Sequence, residues 1–265
     1  MVTACTRADG TEPVDEAARM SLAVGLSRKA LWLADEGFAL LRGPNLDAAV
    51  APGSRGRGQG HALVEAALAQ APPMVRAWSH ADHPAAAALA RRFGFTATRS
   101  LWMMAREAGR VEVPELADVT IRGYREGDAE EVIRVNAAAF AGHPEQGSMD
   151  AANLAQRMAE PWFDPAGLLV ADAGDGLLAF HWTKQHSPAL GEVYVVAVDP
   201  AAQGRGLGKA LTAAGLAYLT ARGVDRIILY VESDNAPAIA TYERLGFTHT
   251  ATHVQYARTA EGRTV

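Results

Sequence analysis

Gln203-Gly204-Arg205-Gly206-Leu207-Gly208 stands between the strand-like run Glu192–Val198, closed by Asp199-Pro200, and an amphipathic stretch from about Gly206 to Arg222. A strand that passes through a glycine-rich turn into a helix aims several backbone N–H groups, and the positive end of the helix, at one point. Such a point suits a pyrophosphate. Side chains at positions 204, 206 and 208 would block the approach of phosphate oxygens, and Arg205 adds charge. A tight strand-to-helix turn without a ligand is the plainer reading of a single loop of this kind. Two rival phosphate motifs fail. A Walker loop needs Ser or Thr after its Lys, and Lys209 is followed by Ala210. A dinucleotide fingerprint needs a third small residue where Lys209 or Leu211 stands, within a βαβ unit that the preceding segment does not form.

Upstream of the loop, Gly167–Asp172, Leu177–Gln185 and Glu192–Val198 read as a strand meander. Ahead of it come a strand at Val119–Arg122 and helices at Asp128–Phe140 and Met149–Glu160, with Asp128 as an N-cap. Downstream of the loop helix follow a buried strand Ile227–Val231, a helix Ala236–Leu245 and a last strand Thr248–Tyr256. The same order occurs earlier in the chain. Arg55-Gly-Arg-Gly-Gln-Gly-His-Ala-Leu63 matches Gln203-Gly-Arg-Gly-Leu-Gly-Lys-Ala-Leu211 at an offset of 148, and Arg92-Phe-Gly-Phe95 matches Arg244-Leu-Gly-Phe247 at an offset of 152. The chain therefore reads as a tandem repeat: residues 1–108, a linker near Glu107–Asp118, and residues 119–258. Each copy is expected to be α+β, a mixed central sheet flanked by helices. About 28 residues precede the first clear strand, Lys29–Asp35, so the first copy is expected to be incomplete, its opening strand and much of its first helix missing or altered.

The 265 residues carry 25 Lys+Arg against 30 Asp+Glu with no basic block, which argues against nucleic acid or an anionic membrane as partner. Cys5 is the only cysteine, so an internal disulfide or a Cys-based metal cluster is excluded and a reducing cytoplasm fits. There is no apolar run of spanning length and no basic-then-apolar signal profile. His80, His83, His181 and His186 lack the spacing of a zinc site, so no metal is expected. The expectation is a cytoplasmic monomer.

The run Val-Ala-Val-Asp-Pro before Gln-x-x-Gly-x-Gly, with a downstream Asn235 and a helix ending Tyr242-Glu-Arg-Leu-Gly-Phe247, resembles the GNAT acetyltransferases. The likeness covers residues 119–258 well and about 29–106 weakly. It implies two tandem GNAT folds and acetyl-CoA as acyl donor. It also implies that the backbone of Val196, Ala197 and Val198 pairs with the pantetheine arm, that Gln203, Gly204, Arg205, Gly206, Leu207, Gly208 and Lys209 grip the pyrophosphate, and that Asn235, Ala236, Pro237, Ala238, Ile239 and Ala240 lie beside the cofactor, with Tyr230 in contact. Carried to the first copy, the same roles fall to Ala49, Val50 and Ala51 and to Arg57, Gly58, Gln59, Gly60, His61 and Ala62. Trp78 is the strand counterpart of Tyr230, with core packing as its expected role. Five further blocks, His143-Pro-Glu-Gln-Gly147, Trp162-Phe-Asp-Pro165, Phe180-His-Trp-Thr-Lys184, Gly191-Glu-Val-Tyr-Val-Val196 and Leu229-Tyr-Val-Glu-Ser-Asp-Asn235, resemble a tandem branch of that family, the mycothiol synthases. These acetylate the cysteinyl amine of a cysteine–glucosamine–inositol conjugate.

Acetyl transfer to an ammonium needs a base for its proton, donors for the thioester carbonyl and an acid for the leaving thiolate. Glu192, at the start of the strand beside the cofactor, is the expected base; a solvated strand-end carboxylate is the alternative. The resemblance makes Tyr242 the acid, against a packing role beside Leu245-Gly-Phe247. At the repeat offsets these positions are Pro44 and Ala90, so the first copy is expected to bind acetyl-CoA without catalysing transfer. By resemblance the acceptor, a small-molecule amine, is held by Glu145, Lys184 and Glu192, and by Glu16 from the first copy, which would set it between the copies. Two other readings stay open: an acetyltransferase for another amine, such as a protein N-terminus or an aminoglycoside, and an acyl-CoA sensor without turnover.

Overall fold

The computed structural model describes residues 1–24, 31–142, 147 and 149–259. The chain packs as two units, one formed by residues up to Trp102 together with those from Ala251 onward, the other by Met103–Thr250. The second unit holds the meander: β6 (Thr120–Gly123), α5 (Ala129–Ala139), α6 (Ala151–Met158), β7 (Leu168–Asp172), β8 (Leu177–Ser187), β9 (Leu190–Val198), α7 (Leu207–Ala221), β10 (Arg226–Glu232) and α8 (Ala236–Arg244). Its strands lie in the order β10-β9-β8-β7-β6. Every pairing among β6 to β9 is antiparallel, and β10 joins β9 in parallel across the helical crossover α7.

Alternation along the strands gives this sheet two apolar faces. Val170, Phe180, Trp182, Val195 and Ala197 pack with Val132 and Val135 of α5 and Leu154 of α6. Leu169, Ala171 and Ala179 pack with Leu207 and Leu211 of α7 on the other side. His181 lies fully buried, its Nδ1 2.9 Å from the Leu211 carbonyl oxygen, and burial pulls its pKa down to about 4, so it stays neutral. Gly215 of α7 leaves room for that imidazole. Asp128 stands at the start of α5, as its sequence suggests, but its carboxylate does not cap that helix; it accepts from Arg122 (2.7 and 2.9 Å) and from the Arg125 N–H (2.7 Å).

The first unit repeats the plan. α1 (Val2–Asp9), α2 (Glu16–Val24), β1 (Leu31–Ala34), β2 (Gly37–Arg42), β3 (Asn45–Val50), α3 (Gln59–Leu68), β4 (Met74–Ser79) and α4 (Pro84–Arg92) precede β5 (Thr96–Glu107). Phe38, Leu40 and Ala49 pack on Cys5 of α1 and Ala18 of α2, and Ala39 and Leu46 on α3. Two helices are present ahead of β1, with α1 of 8 residues where α5 has 11, so the first helix is altered rather than missing; among the described residues the opening strand has no counterpart.

The closing strands do not stay with their own copies. β11 (Thr248–Thr259) pairs antiparallel with β4, from Val254/Ser79 to Thr259/Met74, while β5 lies beside β10. Residues 1–108 and 119–258 thus mark the repeat in the sequence, and the packed units cut across it.

Gly215→Ala would drive a Cβ into the His181 ring, with the sheet behind it. The expected loss is about 1–3 kcal/mol of stability, read as a lower urea midpoint at unchanged slope.

Candidate active site

The pairing of β9 with β10 runs from Leu190/Arg226 to Val193/Leu229. β9 continues to Val198 and β10 to Glu232 without further pairs, so the two strands part after Val193. Beyond Val193, β9 therefore has no β10 partner for the backbone groups on that side. Val196, Ala197 and Val198 lie on this stretch, Ala197 buried in the core and the two valines half-buried. Tyr230, one residue past the last pair, is exposed.

Beyond Val198 the chain enters the loop through a short turn, Pro200–Ala202, capped by Asp199, whose Oδ1 accepts from the Ala201 N–H at 3.0 Å. Arg134 of α5 donates to the other oxygen at 2.6 Å and holds this carboxyl below its usual range. Gly204 and Gly206 adopt φ of +80° and +79°, a region that costs a residue with a Cβ roughly 1–2 kcal/mol. Gly206 is the N-cap of α7 and supplies no side chain, so the first-turn N–H groups stay open. Gln203, Arg205 and Lys209 are exposed around them, whereas Leu207 is buried and offers only its backbone.

Asn235 caps α8, its Oδ1 accepting from the Ala238 N–H at 3.2 Å. Ala236 and Pro237 are exposed in the first turn of that helix, while Ile239 turns into the core. Tyr242, one turn later, packs edge-on to Phe247 at 5.9 Å, and burial pushes its phenol up to about 12.

Glu192 lies one residue before the strands part and is buried. Its Cα partner on β8 is Lys184, also buried, whose ammonium sits 4.6 Å from the ring centroid of Trp162 and 5.1 Å from that of Tyr194. Two β-bulges bracket the pair. Trp182 faces Val195 and Thr183 faces Val193, which leaves Tyr194 extra on β9; Gln185 faces Gly191 and Ser187 faces Leu190, which leaves His186 extra on β8. His186 Nε2 stands 2.5 Å from Glu192 Oε2. Trp162, Trp182 and Tyr194 form an aromatic wall around Lys184, with ring centroids 5.2–5.9 Å apart. No sequence pattern assigns a role to His186 or Tyr194; both are placed by bulges, and no spacing rule announces a bulge. Glu145 and the side chain of Glu16 lie outside the described residues.

The equivalent loop of the first unit is also open: Gly56 and Gly58 have φ of +75° and +83°, and Gly58 caps α3. β3 and β4 share only the pair Asn45/Arg76 before they part. A cavity of about 380 Å³ follows, lined among others by Ala49, Val50, Gly58, Gly60, His61 and Trp78. Ala51, Arg57 and Ala62 do not line it. Arg55, the counterpart of Gln203, is tied to Asp9 of α1 by two contacts of 2.7 Å. The β2–β3 hairpin keeps an unbroken register from Gly37/Val50 to Arg42/Asn45 and turns at Gly43-Pro44, where the second copy carries its bulges and Glu192. Among the described residues no cluster of His, Cys, Asp or Glu is placed to hold a metal, and no helix is long and apolar enough to cross a membrane.

The sequence pattern of the Acetyltransferase (GNAT) family matches residues 37–95 and 137–247. A mycothiol acetyltransferase of Nocardioides sp. is 55% identical over 96% of this chain and 94% of its own length, and one from Rhodococcus jostii is 47% identical over 96% and 91%. Among solved structures, a GCN5-related N-acetyltransferase from Sphaerobacter thermophilus superposes with a TM-score of 0.72 at 22% identity, covering 97% of this chain and 90% of that one. A tandem GNAT protein from the clavulanic acid biosynthesis pathway gives 0.68 at 20% identity, covering 100% and 94%. These two likenesses establish the tandem fold.

Gly206→Val places a β-branched side chain at a left-handed position on the rim of the open helix end. Its KM for acetyl-CoA is expected to rise by about tenfold or more, a penalty of roughly 1.4 kcal/mol, in steady-state kinetics; an unchanged KM would show that this loop does not hold the cofactor.

Proposed function

The chain belongs to the mycothiol acetyltransferases of the GNAT family, and we propose that its second copy moves acetyl from acetyl-CoA to the cysteinyl amine of cysteinyl-glucosaminyl-inositol in the cytoplasm, giving mycothiol and CoA. The observation that carries the assignment of roles is the placement of one buried carboxylate, Glu192, where β9 leaves β10, opposite Lys184.

In this reading acetyl-CoA lays its pyrophosphate on the loop Gln203–Lys209 and its pantetheine arm along Val196–Val198, where unpaired backbone groups replace the missing ladder. The thioester then points toward Glu192. The ammonium of the acceptor gives a proton to the Glu192 carboxylate, directly or through one water, and its lone pair attacks the thioester carbonyl carbon. Negative charge gathers on the carbonyl oxygen, within reach of backbone N–H donors. Collapse breaks the C–S bond. Tyr242, with its pKa near 12, keeps its hydrogen at neutral pH and donates it to the departing sulfur. Lys184, steered by the Trp162 and Tyr194 rings, supplies a fixed hydrogen-bond donor for the hydroxyl-rich part of the acceptor. Glu145 completes the acceptor contacts in the same reading.

The first copy has the open loop and a cavity but neither proton-transfer group: its hairpin turns at Pro44, and Ala90 stands in place of Tyr242. It holds a second acetyl-CoA and does not turn it over.

Thiol release from acetyl-CoA distinguishes the readings. Turnover is expected with cysteinyl-glucosaminyl-inositol and not with a peptide N-terminus, an aminoglycoside or no acceptor; turnover with the peptide or aminoglycoside alone, or with none, would overturn the assignment. Glu192→Gln is expected to lower kcat by about 10²–10³, and the double variant Glu192→Gln, Tyr242→Phe to abolish it, since the first copy cannot compensate. Calorimetric titration of the intact chain is expected to give two acetyl-CoA sites, and Gly58→Val to remove one while turnover persists; a single site in the unaltered chain would contradict the role given to the first copy.

A further inference from the structure

We propose that His186 is a positioning residue for Glu192, an inference that rests on the reading of Glu192 as the base. His186 is the extra residue of a β-bulge: the pairs on either side are Gln185/Gly191 and Ser187/Leu190, and no residue of β9 faces it. A bulge bends its strand and re-aims the side chain it carries. Here the imidazole is aimed at Glu192, Nε2 to Oε2 at 2.5 Å. The carboxylate side chain is 9% exposed and the imidazole 32%. A base must be ionised, and an ionised carboxylate can only accept, so Nε2 carries the hydrogen and donates it.

This bond does two things to a buried carboxylate. It satisfies one oxygen that would otherwise be desolvated without a partner. It also fixes the rotation of the carboxyl group, so that Oε1 presents its lone pairs to the amine in one orientation. Lys184, across from Glu192 on β8, is drawn instead onto the Trp162 and Tyr194 rings. The repeat supplies an internal comparison. The β2–β3 hairpin of the first copy has no bulge and ends before a counterpart of Glu192 could be placed. Bulge, imidazole and carboxylate occur together in one copy and are absent together from the other.

The test uses the full chain with cysteinyl-glucosaminyl-inositol as acceptor. His186→Phe keeps an aromatic ring and removes the donor; His186→Gln keeps an N–H donor at similar reach. His186→Phe is expected to lower kcat by about 10- to 100-fold with the KM for acetyl-CoA unchanged, and His186→Gln to recover most of that loss. In a Glu192→Gln background, His186→Phe is expected to cost nothing more. Full activity of His186→Phe alongside a crippled Glu192→Gln would overturn the inference while leaving the base assignment standing. So would equal losses from His186→Phe in both backgrounds, or equal losses from Phe and Gln. Full activity of Glu192→Gln would remove the base assignment and this inference with it.

Discussion

Everything at the candidate site depends on two parallel strands that stop pairing. A parallel ladder hydrogen-bonds each neighbour at even spacing, and a polar backbone group left open near the core is costly unless water or a ligand takes the vacant place. β9 and β10 pair over four residues and then separate, so β9 keeps an ordered, extended backbone that is paired on its β8 side alone. That edge is where the proposed function lays the pantetheine arm. The loop that follows extends the same logic to phosphate. The positive-φ glycines at 204 and 206 let the chain turn tightly into α7, and the helix end is left uncapped by any side chain.

The divergence has to be held open by rigid surroundings. α7 is pinned to β8 through His181 and the Leu211 carbonyl, with Gly215 shaped to the ring. Arg134 ties α5 to Asp199 at the entrance of the loop. The bulges at His186 and Tyr194 bend the β8–β9 pair on both sides of Glu192. Among the described residues, the same frame in the first unit carries none of these refinements beyond the open loop. There the hairpin is short and regular, and the first loop residue, Arg55, is held by Asp9. One fold thus appears twice, once with Glu192, His186 and Lys184 at the mouth of the split and once without such a group. The pairing of β11 with β4 ties the end of the chain to the unit at its beginning.

Much of this was legible in the sequence because periodicity and glycine spacing are direct imprints of backbone geometry. Each strand and helix expected between Val119 and Tyr256 is present within a few residues of its expected bounds, and the two loops match in conformation as well as in letters. What could not be read falls into two kinds. Long-range pairing leaves little local trace, so the sequence repeat placed β11 with its own copy although it pairs with β4. Local irregularities also leave no pattern: the expected strand stops at Gln185 and His186 is weighed only as a metal ligand, yet an unmatched position in the ladder brings it to Glu192. The N-terminal helices were not read for a related reason, since α1 and α2 are only 8 and 9 residues long.

In the proposed function, acyl transfer belongs to the second copy, at Glu192. The most direct measurement is a crystal structure of the full chain with a bisubstrate analogue in which CoA is joined through its acetyl group to the amine of the acceptor. The amide nitrogen is expected within about 2.6–3.2 Å, or one water, of the Glu192 carboxylate, with the sulfur beside the Tyr242 hydroxyl. A junction lodged in the cavity of the first copy, or in the second copy but away from Glu192, would contradict it.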